Sequence, residues 1–495
     1  MVGVLQSRAV MLIAMRRFHV LSASVLVVGA IAPTAGCSSS SGGSGTDGGA
    51  DVQTADADAG GAPDADAATS DGPDACGPVN TMPSCTVHVQ PSSGDPTSTV
   101  QTALTAAQAN DVICFDDGTY AFTDKLEIHT RNLTLRGTGT GAVLDFAGEP
   151  ADALAGVHAT SDGFTIERLT VKNTTGDAVR VDGPATGITF RGLTISWDLP
   201  QTPEAGAPVD AGGDASSDAV AGDGGPSPAP RARYGIYPIT CTDVLIENNE
   251  VSGATDSGIY VGQSTNAIVR NNVVHANPGG IEIENTTHAD VYGNHAYDNA
   301  AGLMVLNDPN LPIENGLYSN VHDNLLEANN HANFGVGIVA GVPVGIGMLI
   351  VAASDTEVHS NTMVNNDSTG TLIVSCTLFN NFMACPTTNG YYPWAETDYV
   401  HDNTYGGNGS SPDPQFAILG APLPDIVWDG DVNPALPHGA TAGMCVTNNV
   451  DDMGADASAP ATFLDFNYPS FTQSTDLGPF QCMNPAQPAV SVGCL

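Results

Sequence analysis

Gly258-Ile259-Tyr260-Val261, Gly280-Ile281-Glu282-Ile283 and Gly302-Leu303-Met304-Val305 repeat one pattern every 22 residues: a glycine, then alternating apolar positions. A second signal runs in step with it. Val244-Leu-Ile-Glu-Asn-Asn249, Ile268-Val-Arg-Asn-Asn272, Val291-Tyr-Gly-Asn294, Val321-His-Asp-Asn324, Val358-His-Ser-Asn361 and Val400-His-Asp-Asn403 each end a short apolar run on asparagine. Weaker copies stand upstream at Leu133-Thr-Leu135, Phe164-Thr-Ile166 and Ile188-Thr-Phe190. Short strands and turn residues at this period fit coils of an all-β parallel β-helix. Each coil lends three short strands, and alternation turns every second side chain inward. Asparagines at one recurring turn can bond their equivalents above and below and satisfy backbone groups there. Leucine-rich repeats share the period, but their spaced leucines are missing. About ten coils at ~4.8 Å each make a stack of roughly 48 Å.

Both ends of such a stack need covering, because a bare terminal coil presents unpaired strand edges. Thr97–Ala109 places Val100, Leu104 and Ala107 at helical spacing, which predicts a short capping helix. Beyond residue 410 the pattern dissolves, so 411–495 reads as an irregular, Cys-containing cap or tail. The β-helix domain then spans 76–410. It is interrupted at 201–233 by a Gly/Ala/Asp-rich insertion that cannot build a core.

The N-terminus sets an address. Met15-Arg16-Arg17 followed by apolar Val20–Ile31 has the layout of an export signal and is too short for a membrane span. Thr34-Ala35-Gly36-Cys37 with Ser38–Ser41 after it resembles a bacterial lipoprotein signal. That resemblance implies cleavage after residue 36, lipidation of Cys37, and an outer-membrane or cell-surface lipoprotein of a Gram-negative bacterium. Membrane contact is then through this lipid alone. Residues 37–75 read as a flexible acidic tether.

The charge balance excludes further classes. With 13 Lys+Arg against 54 Asp+Glu, a formal net charge of -41 leaves no basic footprint for nucleic acid. It also repels polyanions unless Ca²⁺ bridges them; no other cofactor is expected. A monomer is expected. Of the ten cysteines, Cys76/Cys85 and Cys376/Cys385 are each nine apart and could close small loops. Cys445, Cys482 and Cys494 stand in the tail, and Cys114 and Cys241 sit in apolar runs that suit buried thiols.

The repeat resembles the pectin-lyase-like superfamily, which implies a right-handed parallel β-helix. More narrowly, Gly302–Gly409 looks like a family of uncharacterised bacterial parallel β-helix repeat proteins. That likeness rests on Asp308-Pro-Asn-Leu-Pro312, Asn330–Phe334, Val342-Pro-Val-Gly-Ile-Gly347 and Tyr391-Tyr-Pro-Trp-Ala-Glu396. The resemblance implies an exported β-helix of a kind that often binds or cuts polysaccharide. It names no activity, since fold does not give function. The Gly-His-Gly of polygalacturonase-like enzymes is absent, and Asp308-Pro309 is followed by Asn310 where alginate epimerases carry histidine.

The insertions single out a site. Extra residues at 307–318 and 376–397 fall at the same corner of two coils, while the coil between them, Gly347–Asn361, has none there. Two loops should therefore stand either side of a notch; a third insertion, 328–346, falls at another corner. Chain leaving the notch enters Val-His-x-Asn in three coils. His322, His359 and His401 should form one outward column, with Tyr292, Arg270 and Glu247 below. Such histidines should depress one another's protonation and could act as general acid or base, or simply stack as a solvated ladder. Asp308, Asp355 and Glu396 could supply a carboxylate pair for glycoside hydrolysis. Tyr292, Tyr391, Tyr392 and Trp394 could supply a sugar-stacking surface. Two functions stand open: a polysaccharide hydrolase or lyase, and a non-catalytic protein binding an envelope glycan or another envelope component.

Overall fold

A computed structural model describes residues 83–198, 233–380, 385, 390–435, 441–452 and 459–492. The signal segment, Cys37, the tether, Cys76, Cys494 and nearly all of the 201–233 insertion lie outside the described residues.

The repeat folds as its period dictates, into a right-handed parallel β-helix. A 21-stranded sheet supplies two of its faces and a 12-stranded sheet the third. The larger sheet is continuous because Asp177–Arg191 and Ile236–Glu247 each run unbroken from the first face into the second. Among the described strands every pairing is parallel except that of Val450–Asp451 with Ala459–Pro460. The stack runs past 410: Ile426–Trp428, Cys445–Thr447 and Phe463–Asp465 each add a strand to the larger sheet. Irregular chain follows. These late strands escape the repeat pattern because proline-rich loops separate them.

Alternation builds the core. Val269, Val291, Val321, Val358 and Val400 are in register on successive coils and all fully buried. The repeat glycine is required by close approach. A Cβ on Gly280 would fall 2.3 Å from the Gly302 carbonyl oxygen, and one on Gly302 would fall 2.7 Å from the Gly347 oxygen. Thr97–Ala106 forms the capping helix, three residues shorter than the sequence suggests, with Val100 and Leu104 buried.

Two asparagine ladders climb the stack from Asn249 and Asn277 onward. One links Asn249, Asn272, Asn294, Asn324, Asn361, Asn403 and Asn449; each side-chain carbonyl accepts both the backbone N–H and the amide N–H of the residue one coil back. The other joins Asn277, Asn299, Asn329, Asn366 and Asn408 in the same way.

Among the described residues three disulfides close: Cys85–Cys114, Cys376–Cys385 and Cys445–Cys482. Cys85 thus pairs with Cys114, which is no free thiol, because the strand Val87–Val89 pairs beside Val112–Phe115 and brings the two together. Cys241 is the buried free thiol among the described residues.

Candidate functional site

The notch forms where the insertions place it. Loop 307–318 and loop 376–397 reach across the insertion-free coil and touch. The Asn315 amide donates to the Gly390 carbonyl at 2.8 Å, and Tyr392 N–H donates to Asn315 Oδ1 at 2.8 Å. Between them lies a cleft of about 400 Å³ lined by Asn307, Asn315, Ser354, Asp355, Tyr392 and Glu396, among others. The Cys376–Cys385 disulfide ties one loop to itself.

The carboxylates in the cleft differ. Glu396 is buried; it accepts the Tyr392 hydroxyl on one oxygen and the Asn433 N–H at 2.7 Å on the other. It clamps the loop. Asp355 is half-buried and accepts the Thr397 hydroxyl at 2.7 Å on one oxygen. Below them Asp398 is fully buried, with one oxygen on Thr356 N–H at 2.9 Å and the other without a partner among the described residues. Burial pushes its pKa well above the usual carboxylate range.

Other residues expected in the notch lie elsewhere. Tyr391 is buried in an apolar cluster outside the coils, its hydroxyl on the Asn307 carbonyl, so it offers no face to a sugar. Trp394 packs edge-on against Tyr392 and hydrogen-bonds Asp431. Asp308 turns away toward Glu282 and Glu284, because Asn285 grips the backbone on either side of the loop.

The histidine column forms as register requires. Tyr292, His322, His359 and His401 stack with centroids 4.9, 4.9 and 5.2 Å apart. Mutual depression of protonation holds at His359 and fails at His322. Burial first, then its two neighbours, pulls His359 down. At His322 burial also pulls down, but hydrogen bonds to Asp290 at 3.0 Å and Asp323 at 2.7 Å outweigh it and raise the pKa. His401 is likewise held on both nitrogens, by Asp402 and Glu357. The C-terminal chain runs along this face, Gln487 N–H bonding Glu357 and Val492 packing on Leu245 and Ile268. Held on both ring nitrogens, His322 and His401 act as rungs of a ladder.

Sequence reasoning missed the first face. Its outward position reads Glu127, His158, Arg180, Tyr237, Tyr260 and Glu282 on successive coils, then turns apolar at Met304, Leu349 and Leu372. The apolar half lies in the cluster outside the coils, under residues such as Val339, Val342 and Tyr391. The polar half carries a network. His158 bridges Glu127 at 2.9 Å and Asp182 at 3.0 Å. The Arg180 guanidinium lies 4.6 Å from the Tyr237 ring centre. Tyr234, Tyr237 and Tyr260 cluster with centroids 4.5 to 4.8 Å apart. Tyr260 and Glu282 stand at variable positions of the repeat, and that is the signal that could have found them.

At the junction of the two halves four carboxyls crowd together. Burial, then Asp256, pushes Glu282 up to about 8 and Asp308 up to about 6. Burial, then Asp308, raises Glu284 well above the carboxylate range, and burial raises Asp256 despite Arg233. Ser257 donates to Glu282, and the Tyr260 hydroxyl bonds Glu284. Among the described residues no group of three or more His, Cys, Asp or Glu side chains is arranged to hold a metal ion.

Three similar solved structures are the A-module of mannuronan C-5 epimerase AlgE4 from Azotobacter vinelandii, DFA-IIIase from Arthrobacter chlorophenolicus A6 and alginate lyase from Paenibacillus sp. str. FPU-7. The first is 15% identical over 72% of this chain and 91% of its own, with a TM-score of 0.48. The second is 14% identical over 74% and 88%, at 0.43. The third is 14% identical over 77% and 98%, at 0.39. At this distance they carry no argument about activity. No curated protein matches the chain. Residues 230–404 match the family model described as right handed beta helix region, in agreement with the fold built above from its own repeat.

Proposed function

We propose that the protein engages a polysaccharide at the notch. The observation that carries this reading is the cleft itself: two loops from separated coils meet over one short coil and leave about 400 Å³ between them. Asp355, with one oxygen on Thr397 and the other not so engaged, suits a sugar hydroxyl, and the Tyr392 ring suits a pyranose face. Binding is favoured over hydrolysis there. A glycosidase needs two carboxyls free to face the bond, and both Glu396 oxygens are taken. Turnover at this cleft, as a hydrolase or a lyase, is the second reading.

The test uses the purified protein on an array of neutral, amine-bearing and uronic polysaccharides, with mass spectrometry for new oligosaccharides. At least one polymer should be retained, and Asp355→Asn and Tyr392→Ala should each weaken retention at least tenfold. If both variants bind as the parent does, the notch is not the site. New oligosaccharides would establish an enzyme; a mass gain of water would mark hydrolysis and an unsaturated end elimination.

We also propose export and anchoring through Cys37. The signal-like N-terminus supports this, as do three disulfides that suit an oxidising compartment. Cys37→Ser should move the protein from the membrane pellet to the soluble fraction; a protein already soluble before the change would remove the anchor.

A further inference from the structure

Arg270 is the last lysine or arginine in the chain: residues 271–495 hold none, against 23 Asp and Glu. Both notch loops and the short coil between them lie in that stretch. Neither loop, 307–318 or 376–397, contains a histidine either. The two arginines closest in sequence are engaged elsewhere, Arg270 with Glu247 and Tyr292 and Arg233 with Asp256. His288 stacks on Tyr318 where loop 307–318 ends, and His322 and His401 hold carboxylates on both ring nitrogens. Among the described residues no lysine, arginine or histidine lines the cleft, whereas Asp355 and Glu396 do.

The polar side chains of the lining are mostly held within the protein. Asn307 donates to the Gly316 and Ala352 carbonyls and accepts the Gly316 N–H. Ser354 donates to the Trp394 carbonyl at 3.1 Å and accepts the Glu396 N–H. The Tyr392 hydroxyl donates to Glu396 and accepts from Asn433. Thr397 donates to one oxygen of Asp355, and the other has no partner among the described residues. That second oxygen is the acceptor left to a ligand. A sugar hydroxyl brings one donor and matches it. An ammonium brings three donors to the same single oxygen. A carboxylate brings only acceptors, and would give up water beside Asp355 and Glu396 with no counter-charge to replace it.

We infer that the notch selects an uncharged sugar and rejects a uronate. This rests on the reading that the notch binds polysaccharide, and deepens it by naming the class. The sugar sets a hydroxyl on Asp355 and its ring against Tyr392. Selectivity comes from the absence of any basic side chain in the coils and loops that build the cleft, so a substrate carboxylate finds repulsion and no partner.

The experiment is calorimetric titration of the purified protein, with EDTA and again with calcium. The ligands are glucose, mannose and glucosamine oligomers, and galacturonate and mannuronate oligomers as free acids and as full methyl esters. An ester keeps the uronate ring and removes its charge. At least one uncharged oligomer should bind, and every free acid should bind at least tenfold more weakly than the tightest uncharged one, in either buffer. Leu317→Lys sets an ammonium in the lining; it should narrow the gap between acid and ester at least threefold at an unchanged melting temperature, and an unchanged gap in the folded variant overturns charge as the cause. A free acid or a glucosamine oligomer that matches the tightest uncharged ligand overturns the inference. If Tyr392→Ala then weakens that ligand at least tenfold, the proposed function stands and only the sugar class falls. If Tyr392→Ala leaves it bound as before, or if no oligomer binds at all, both fall.

Discussion

Asn324→Ala should lower the free energy of unfolding by about 3 kcal/mol, with the midpoint in urea as the measurement. Asn324 is the middle rung of a fully buried ladder. Its Oδ1 accepts the Asn294 backbone N–H at 3.0 Å and the Asn294 amide at 2.9 Å. Its own amide donates to Asn361 Oδ1 and to the Val291 carbonyl, both at 2.9 Å. Truncation strands the Asn294 backbone N–H and one Asn294 amide N–H beside a buried cavity, and takes a donor from the Val291 carbonyl and from Asn361 Oδ1, which keeps the backbone N–H of residue 324. An unmet buried group costs about 1–3 kcal/mol, so a few of them suffice even after the coils relax. The position sharpens the effect, because a stack is held by contacts between neighbouring coils and a central break divides it. His359→Ala one face away should cost less, since that side chain is half-buried and its ring bonds the Ser360 hydroxyl alone. A loss under about 1 kcal/mol for Asn324→Ala would mean that water enters the turn and the ladder is not a main support.

Raising pH from about 5 to about 8 should destabilise the protein, a reversal of the usual carboxylate behaviour. Several acids have folded pKa values raised by burial: Asp177 to about 6, Glu149 and Asp429 to about 7 and Glu282 to about 8, and burial also lifts Asp398 and Glu284 well above the usual carboxylate range. In the unfolded chain the same groups titrate near 4. Between the two values the folded state binds more protons than the unfolded state, so stability falls as pH rises and levels off above the folded pKa. A tenfold difference in proton affinity between the two states at one group is worth about 1.4 kcal/mol, and several groups act together. The thermal midpoint should therefore drop by several degrees from pH 5 to pH 8. Asp398→Asn, which keeps the bond to Thr356 without the charge, should raise the midpoint at pH 8 and flatten part of the slope. A midpoint that rises with pH over this range would mean that these carboxyls are ionised and compensated in the folded protein.

The two sites were legible to different degrees. The notch could be read because an insertion is visible as a change in repeat length, and two insertions at one corner must share a side of the stack. The histidine column could be read because register follows from the period. Its protonation could not, because Asp290, Asp323, Glu357 and Asp402 come from different coils and corners, and their reach depends on side-chain packing. Tyr391 was misplaced for the same reason. A loop's side chains can face the cleft or the apolar cluster behind it, and only the packed structure tells which.

From the sequence alone came the repeat, its three faces, the inward valines, the asparagine turn and the corner where the notch opens. All follow from a period of 22 and from alternation, which are local properties that stacking repeats faithfully. Tertiary structure decided the rest: that Cys85 meets Cys114, that the C-terminal chain covers the histidine face, that Glu396 is spent as a clamp, and that Asp308 joins Glu282 and Glu284. The reason is physical. Each of these depends on where an irregular segment folds back onto the stack, and such segments carry no period to extrapolate from. The burial that shifts a carboxyl is set by those returning loops rather than by the strand that bears it.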